Sequence, residues 1–590
     1  MIKLDRIAVR NYRSIKEIEF TLDSFVAFVG YNNSGKSNCM RAINWVLSME
    51  KPTLEDYYVG EEGKCGEPPS AEYRLSGLTD EILDELVDDE GKRKKIKQMR
   101  IGDKLYLKRE FVSGKPRTFY KIDDEWKINP SGVDTAIKSI HPDVFLIEPD
   151  MNSSEQAGKV KSGTALSNLM AFLVKESLKK YEETLLDFKN KLFLDDSVRE
   201  LELGINRALK SYYPGFDVSL QNNFEINDVF KSFSLEVKED GSLKSLSNYG
   251  HGLQRSALMA VLTFLASVSQ ISVGLKTRVL LIDEPELFQH PSMIKKIRET
   301  LLDLSEVGFQ VVITTHSPHL LSAEKVIRRT YAVSKNVEQG TFLRNPSLAL
   351  EKKFNSKTLS NFLALDQLSY VPFSERVMVV EGGTEEVFFK TILEDLFSES
   401  FHKYSVFKMD GCKQFPYAKD FLDFYGFPIM LVGDLDAIKS FRVDDDTVQE
   451  KINCIRVKAL EYFKEKGCPV DKSGWPIGNS SEKFNEFSLS DFARKKELLN
   501  DLRWLDCKNI HFWSRGDIEH TLYPNFVDGE KIERVRRLIK KVREVQCSIS
   551  PWDAWKKVIE GLGGDFNELH KLLIRFADTA ITFKGEEEVR

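Results

Sequence analysis

A chain of 590 residues exceeds what one hydrophobic core can organise, and 42% hydrophobic with 30% charged residues is the balance of a soluble globular protein of about two to four domains. No run of about 18 or more apolar residues occurs, which excludes a membrane-spanning helix. The net charge of −6 leaves DNA binding open, since that needs only a local basic surface.

The opening MIKLDRIAVRNYRSI reads as a strand with charges on alternate positions, without the apolar run and cleavage site of a signal peptide. Strands are predicted at Ile7–Val9, Glu17–Phe20 and Phe25–Val29 around one helix, and residues 104–122 alternate like a hairpin turning at SGKP. Residues 155–212 change to a helical period. Strands return with FSLEVKED and RVLLIDEPE, a helix follows at 292–306, and FQVVITTHS is the next strand. After about 345 a second β/α alternation begins, with strands at 376–381, 404–409, 428–434 and 508–514, which argues for a largely parallel second sheet. The stretch 466–488 reads as a polar, turn-rich inserted loop. The basic runs GKRKKIKQMR (91–100) and KIERVRRLIKK (531–541), taken singly, read as solvated helix faces. Seven scattered cysteines with no CxxC pair argue against structural zinc and for reduced thiols in a cytoplasmic protein.

Two sets of motifs carry chemistry. GYNNSGKS follows the apolar strand FVAFVG and opens a helix, as a phosphate loop does. Gly30 and Gly35, with Asn32, Asn33 and Ser34 between them, allow backbone N–H groups to close around phosphates; Lys36 neutralises the β/γ oxygens of ATP, and Ser37 holds Mg²⁺. RVLLIDEPE delivers Asp283 to that Mg²⁺ and Glu284 to the attacking water. LSNYGHGLQR places Gly250, Gly252 and Gln254 at a helix N-terminus suited to an anion, and VVITTHS puts His316 at a strand end within reach of a γ-phosphate.

In this order, the four elements and the opening IAVRNYRSIKEIEF resemble the ABC-type ATPase head of the SMC, Rad50 and RecF group. The resemblance implies nucleotide sandwiched between two copies, hence a homodimer or higher homo-oligomer through the heads. The 155–212 segment would serve as a helical dimerisation insert. The chain departs from the LSGGQ signature, offers no placed Q-loop and lacks long heptad arms.

The second set is acidic. RVMVVEGGTEE runs a strand into Glu381 and a helix whose first turn holds Glu385; FPIMLVGDLDA ends a strand in Asp434 and Asp436; NIHFWSRGDIEH ends another near Asp517 and Glu519. Strand ends of a parallel sheet share one edge, so six acids meet at one rim. Ionised carboxylates that close repel and raise each other's pKa, and Mg²⁺ or Mn²⁺ removes the cost. Two such ions about 4 Å apart suit phosphodiester chemistry. Glu381, Asp434 and Asp436, with Gly411 in KMDGCKQF, resemble the Toprim pattern of glutamate then DxD.

The whole chain resembles the OLD (overcoming lysogenization defect) nucleases, which include the nuclease subunit of the Gabija defence system. The expected fold is α/β: an SMC/Rad50/RecF-like ATPase head (1–154 and 213–345) interrupted by a helical insert (155–212), a linker (346–370) and a Toprim nuclease domain (371–590). The resemblance implies a metal-dependent DNA endonuclease or nickase under ATP control, used against phage. Its partner would be a helicase, as in some relatives, or a reverse transcriptase with its small DNA, as in others. It also implies a lysine on the cleaved phosphate, for which Lys540, Lys541, Lys556 and Lys557 are open choices. Two other readings are a DNA-clamping ATPase with a non-catalytic Toprim scaffold, and a topoisomerase. The second needs a nucleophilic tyrosine that nothing distinguishes among the eighteen.

Overall fold

The computed structural model describes residues 1–60, 67–148, 236–268, 277–344 and 366–577, short gaps apart. The insert expected at 155–212 and most of the linker expected at 346–370 lie outside the described residues. The chain divides into two compact units, Met1–Leu321 with Arg329–Leu343, and Ser322–Arg328 with Arg344–Arg590.

The first unit is built on one mixed sheet. Its described strands are β1 (Lys3–Tyr12), β2 (Ile15–Thr21), β3 (Phe25–Val29), β4 (Ser70–Ser76), β5 (Leu105–Val112), β6 (Lys115–Ile122), β7 (Glu125–Ile128) and β8 (Asp143–Ile147), a separate hairpin β9 (Glu236–Glu239) and β10 (Ser242–Ser245), then β11 (Arg278–Asp283), β12 (Phe309–Thr315), β13 (Thr330–Asn336) and β14 (Gly340–Arg344). The order is β7-β6-β5-β4-β1-β2-β14-β13-β3-β12-β11-β8. From β13 to β8 the pairing is parallel; from β7 to β2 it is antiparallel. The sequence accounts for this split. FVAFV and FQVVITT are buried at every position, as strands covered on both faces must be, whereas β2 alternates Ile15, Ile18 and Phe20 inward with charged residues outward.

Helix α1 (Lys36–Ser48) leaves β3 through the phosphate loop and buries Met40, Ile43, Val46 and Leu47. Its C-terminal carbonyls are held by the buried Arg109, whose guanidinium donates to Trp45 O at 3.4 Å, to Glu50 O at 2.7 Å and to Met49 O. Helices α2 (His251–Val268) and α3 (Pro291–Glu306) pack on each other. The first 150 residues hold more than the one helix expected: Asp80–Leu86, Glu90–Met99 and Asp134–Ile140 are also helical. Thr79 and Asp89 cap the first two through side-chain oxygens, a local signal stronger than the weak apolar periodicity.

In the second unit β15 (Arg376–Val380), β16 (Tyr404–Lys408), β17 (Ile429–Gly433) and β18 (Ile510–Phe512) form a fully parallel sheet in the order β16-β15-β17-β18. Helix α4 (Gly383–Leu396) follows β15, α5 (Phe415–Tyr425) follows β16, and β17 leads to α6 (Asp446–Glu465). The expected loop 466–488 is only half loop. Ser480–Leu489 is helix α7, because Phe484 and Phe487, three apart, bury against Tyr462 and Phe463. Helix α8 (Phe492–Asp506) returns to β18, which is shorter than the strand expected at 508–514. Then come α9 (Ile518–Leu522), α10 (Lys531–Gln546), α11 (Pro551–Gly561) and α12 (Phe566–Ala577). Trp555 of α11 meets Phe388 of α4 edge-on at 5.5 Å, with its indole N–H on Asp395 at 3.0 Å. That packing fixes the helix whose first turn carries Glu385.

Candidate functional site

The phosphate loop is shaped by its glycines. Gly30 and Gly35 have φ of 152° and 104°, and a Cβ would come within 2.2 Å of Val333 O at the first and 2.1 Å of Thr341 Oγ1 at the second. Asn33 also has positive φ, 63°. Lys36 Nζ donates to Gly30 O (3.2 Å) and Tyr31 O (3.0 Å), the loop's own carbonyls. Burial lowers its ammonium to about 8, against the pull of Glu284, Asp283 and Glu286. Ser37 Oγ donates to Asp283 Oδ1 at 3.1 Å, so the two groups expected to share Mg²⁺ already meet. Ser34 is buried with its hydroxyl unpartnered, and Asn32 is exposed at the loop's tip.

Glu284 sits at φ 48° just past β11, with its N–H bonded to Thr314 O and Oγ1, both at 3.1 Å. His316 Nε2 lies 3.3 Å from Glu284 Oε1, and that close approach holds the glutamate below the usual carboxylate range. Glu286, which the sequence reading did not single out, accepts Thr315 Oγ1 and His316 N, each at 2.7 Å, and so fixes the histidine's backbone. Helix α2 begins at His251, so Gly252 and Gln254 lie within its first turn rather than ahead of it. Gly250 O accepts from Leu253 and Gln254, and buried Gln254 donates to Tyr249 O at 2.8 Å.

The acidic residues converge. Glu381 closes β15, Asp434 and Asp436 follow β17, and Asp517 and Glu519 follow β18, at the same end of the parallel sheet. Glu381, Asp434 and Asp436 each offer an oxygen within 4.8 Å of the others. Glu385 is the third residue of α4 and its Oε2 accepts Gly382 N at 3.1 Å, a capping contact that aims the carboxylate back at the strand end. Asp517 caps α9 and accepts His520 N (2.8 Å) and Nδ1 (2.7 Å). Gly411 N bonds to Glu381 O at 3.1 Å.

Electrostatics show what this crowding costs. Burial first, then Asp436 and Glu385, raise Glu381 to about 7. Asp434 is raised well above the usual range by burial and by Glu385, Asp517 and Glu381. Glu385 is raised by burial and by Glu519, and Glu519 by burial and by Asp517. Asp517 goes the other way: burial raises it, but the His520 hydrogen bonds outweigh that and bring it below the usual range. Glu381 Oε2, Asp434 Oδ1 and Glu519 Oε1 are buried with no hydrogen-bond partner. Clustered hard oxygen donors with unused lone pairs fit Mg²⁺ or Mn²⁺.

Two lysines join the acids, and the sequence reading missed both; Lys439 Nζ lies 3.8 Å from Asp436 Oδ2. Lys531 Nζ lies 3.3 Å from Glu519 Oε2, and Glu519, Asp434 and Asp517 raise its pKa against the effect of burial. Lys540, Lys541, Lys556 and Lys557, the open choices, are exposed on α10 and α11. Lys531 opens the run read as a solvated face, and only the return of α10 to the sheet edge separates it from its neighbours. Tyr523 is also buried there, its hydroxyl unpartnered.

Known proteins share these features. The family model described as AAA_15, AAA ATPase domain, matches residues 2–143 and 116–321. The one described as overcoming lysogenization defect protein-like, TOPRIM domain, matches residues 373–436. Old nuclease of Escherichia phage P2 is 27% identical over 92% of this chain and 99% of its own length. Endonuclease GajA of Bacillus cereus strain VD045 is 21% identical over 90% of this chain and 91% of its own. An SMC head domain from Thermotoga maritima aligns with 58% of this chain and 98% of its own at 13% identity and a TM-score of 0.30.

Proposed function

This chain belongs to the OLD family, an AAA_15 ATPase domain and an OLD-like TOPRIM domain on one polypeptide, and on that premise we propose that it is an ATP-binding, divalent-metal-dependent DNA endonuclease or nickase. The observation that carries the reading is the meeting of Glu381, Asp434 and Asp436 within 4.8 Å, with orphaned carboxylate oxygens beside them. A non-catalytic scaffold gives no reason to bury unpaired acids together.

In this reading Glu381, Asp434 and Asp436 hold one Mg²⁺ or Mn²⁺, and Glu385, Asp517 and Glu519 hold or flank a second. The bound cations supply charge neutralisation and Lewis acidity to phosphodiester chemistry. His520 keeps Asp517 ionised and oriented through its two hydrogen bonds. Lys531 supplies a fixed positive charge for the cleaved phosphate. In the ATPase domain, Gly30 to Ser37 bind the phosphates, with Lys36 on the β/γ oxygens. Ser37 and Asp283 serve the Mg²⁺, and Glu284, steadied by His316, orients the attacking water. Gly250, Gly252 and Gln254 would cover the γ-phosphate held by a second copy, making the working form a homodimer or higher homo-oligomer.

The same reading includes control of cleavage by ATP state, a role against phage, and a helicase or a reverse transcriptase with its small DNA as partner. It assigns 1–154 and 213–345 to the ATPase head, 155–212 to the dimerisation insert and 371–590 to the nuclease. The test is purified chain with supercoiled plasmid and Mg²⁺ or Mn²⁺, with and without ATP. Nicking by the wild type that is lost in Glu381→Ala and Asp436→Ala supports the assignment; nicking that survives both substitutions removes it.

A further inference from the structure

We propose that the outer face of α10, carried by Arg536, Lys540 and Arg543, is a track for the DNA backbone leading to the acidic centre; this rests on the nuclease reading above. Helix α10 holds seven cations and two acids over Lys531–Gln546. Val535, Leu538 and Val542 face the core, while Arg536, Lys540 and Arg543, at i, i+4 and i+7, form a separate exposed stripe. With Ile539, Glu544 and Cys547 they line a shallow hollow.

The two basic runs in the sequence look alike, but their surroundings differ. In the first, Lys92, Arg93, Lys97 and Arg100 are paired with Asp80, Asp84 and Asp89 at 2.6 to 3.9 Å. In the second, Arg536 and Lys540 lie in no ion pair among the described residues and Arg543 acts only at longer range, on Asp395, although Asp and Glu outnumber Lys and Arg, 91 to 85, over the whole chain. A stripe left unneutralised on an acidic protein is a surface kept for an anion.

Position identifies the anion. The first residue of α10 is Lys531, 3.3 Å from Glu519. The stripe from Arg536 to Arg543 is roughly 10 Å long at 1.5 Å per residue, about three nucleotides of one strand at ~3.4 Å each. A backbone lying along it and continued past Arg536 runs toward the end of α10 that holds Lys531. The acidic rim itself repels phosphate, and the two lysines paired with it, Lys439 and Lys531, leave the six acids in excess. Cations outside the rim attract the polyanion without occupying the metal ligands. The contact is sequence-independent, since it reaches phosphates and not base edges.

The experiment measures binding of a fluorescein-labelled duplex of about 30 base pairs to the full chain in EDTA, from 50 to 200 mM salt. Each phosphate contact contributes about 0.9 to the slope of log affinity against log salt, so Arg536→Ala/Lys540→Ala/Arg543→Ala should flatten it by about 2.7. Over that fourfold salt range the wild type should lose roughly forty times more affinity than the variant. An unchanged circular-dichroism spectrum and urea midpoint report that the variant is folded, and Lys94→Ala/Lys95→Ala, on the other basic helix, should keep the wild-type slope. An unchanged slope in the triple variant, an equal fall in the control, or no DNA binding by the wild type overturns the proposal. Plasmid nicking separates it from its premise: nicking with an unchanged slope sinks the track alone, and a flattened slope without nicking sinks the nuclease reading alone.

Discussion

Glu381 is the residue whose chemistry is most exposed to test. Its pKa of about 7 means that a cation competes with a proton there up to neutral pH. Cleavage should therefore rise with pH through about 7, and Glu381→Gln should remove activity instead of shifting the profile. The same shift has a stability consequence. An acid whose folded pKa lies above its ordinary 4.5 binds more protons folded than unfolded between those values, so metal-free stability falls as pH rises from 4.5 towards 7. Thermal melts in EDTA should show that fall, and Mn²⁺ should raise Tm more at pH 8 than at pH 5. Lys531 makes a second residue-scale prediction. Lys531→Ala should lower the cleavage rate by about 10²–10³ while Mn²⁺ binding persists, as for loss of one transition-state charge. A loss of metal binding instead would make Lys531 a structural counter-ion to Glu519.

At the scale of elements, the motifs work because of what surrounds them. Gly35 needs φ 104° and has Thr341 Oγ1 where a Cβ would stand. Gly35→Ala should abolish nucleotide binding, read by fluorescent ATP titration, while Mn²⁺ binding by the second unit is untouched. Trp555, buried against Phe388 with its N–H on Asp395, holds α4. Trp555→Ala should cost about 3–5 kcal/mol, read from the urea midpoint, and weaken cleavage through Glu385. Trp555→Phe, keeping the ring contact, should cost less. What was legible in the sequence tracks this scale. Strands ending in Glu381, Asp434 and Asp283 announce themselves as apolar runs against acids. Helix Ser480–Leu489 was hidden because two phenylalanines in a polar stretch bury only in tertiary context. Lys531 was hidden because proximity to Glu519 is a property of chain return, not of spacing.

For the whole molecule, the two units pose one question: what ATP does for cleavage. Lys36→Ala should abolish ATP binding, whereas Glu284→Gln should bind ATP and fail to turn it over. Plasmid nicking by those two variants should differ if nucleotide state governs the second unit, the ATP-bound form being arrested in one and inaccessible in the other. Equal nicking with and without ATP in both variants would separate the two activities. No described helix is long and apolar enough to cross a membrane.

The most direct test of the account is Mn²⁺ titration of the full chain without nucleotide, followed by the loss of free Mn²⁺ signal in electron paramagnetic resonance, for the wild type and for Asp434→Ala. The account predicts bound Mn²⁺ in the wild type at pH 8, weakening as pH falls below 7, and little or none in the variant. Equal Mn²⁺ binding by the two proteins, or none by the wild type, would contradict it.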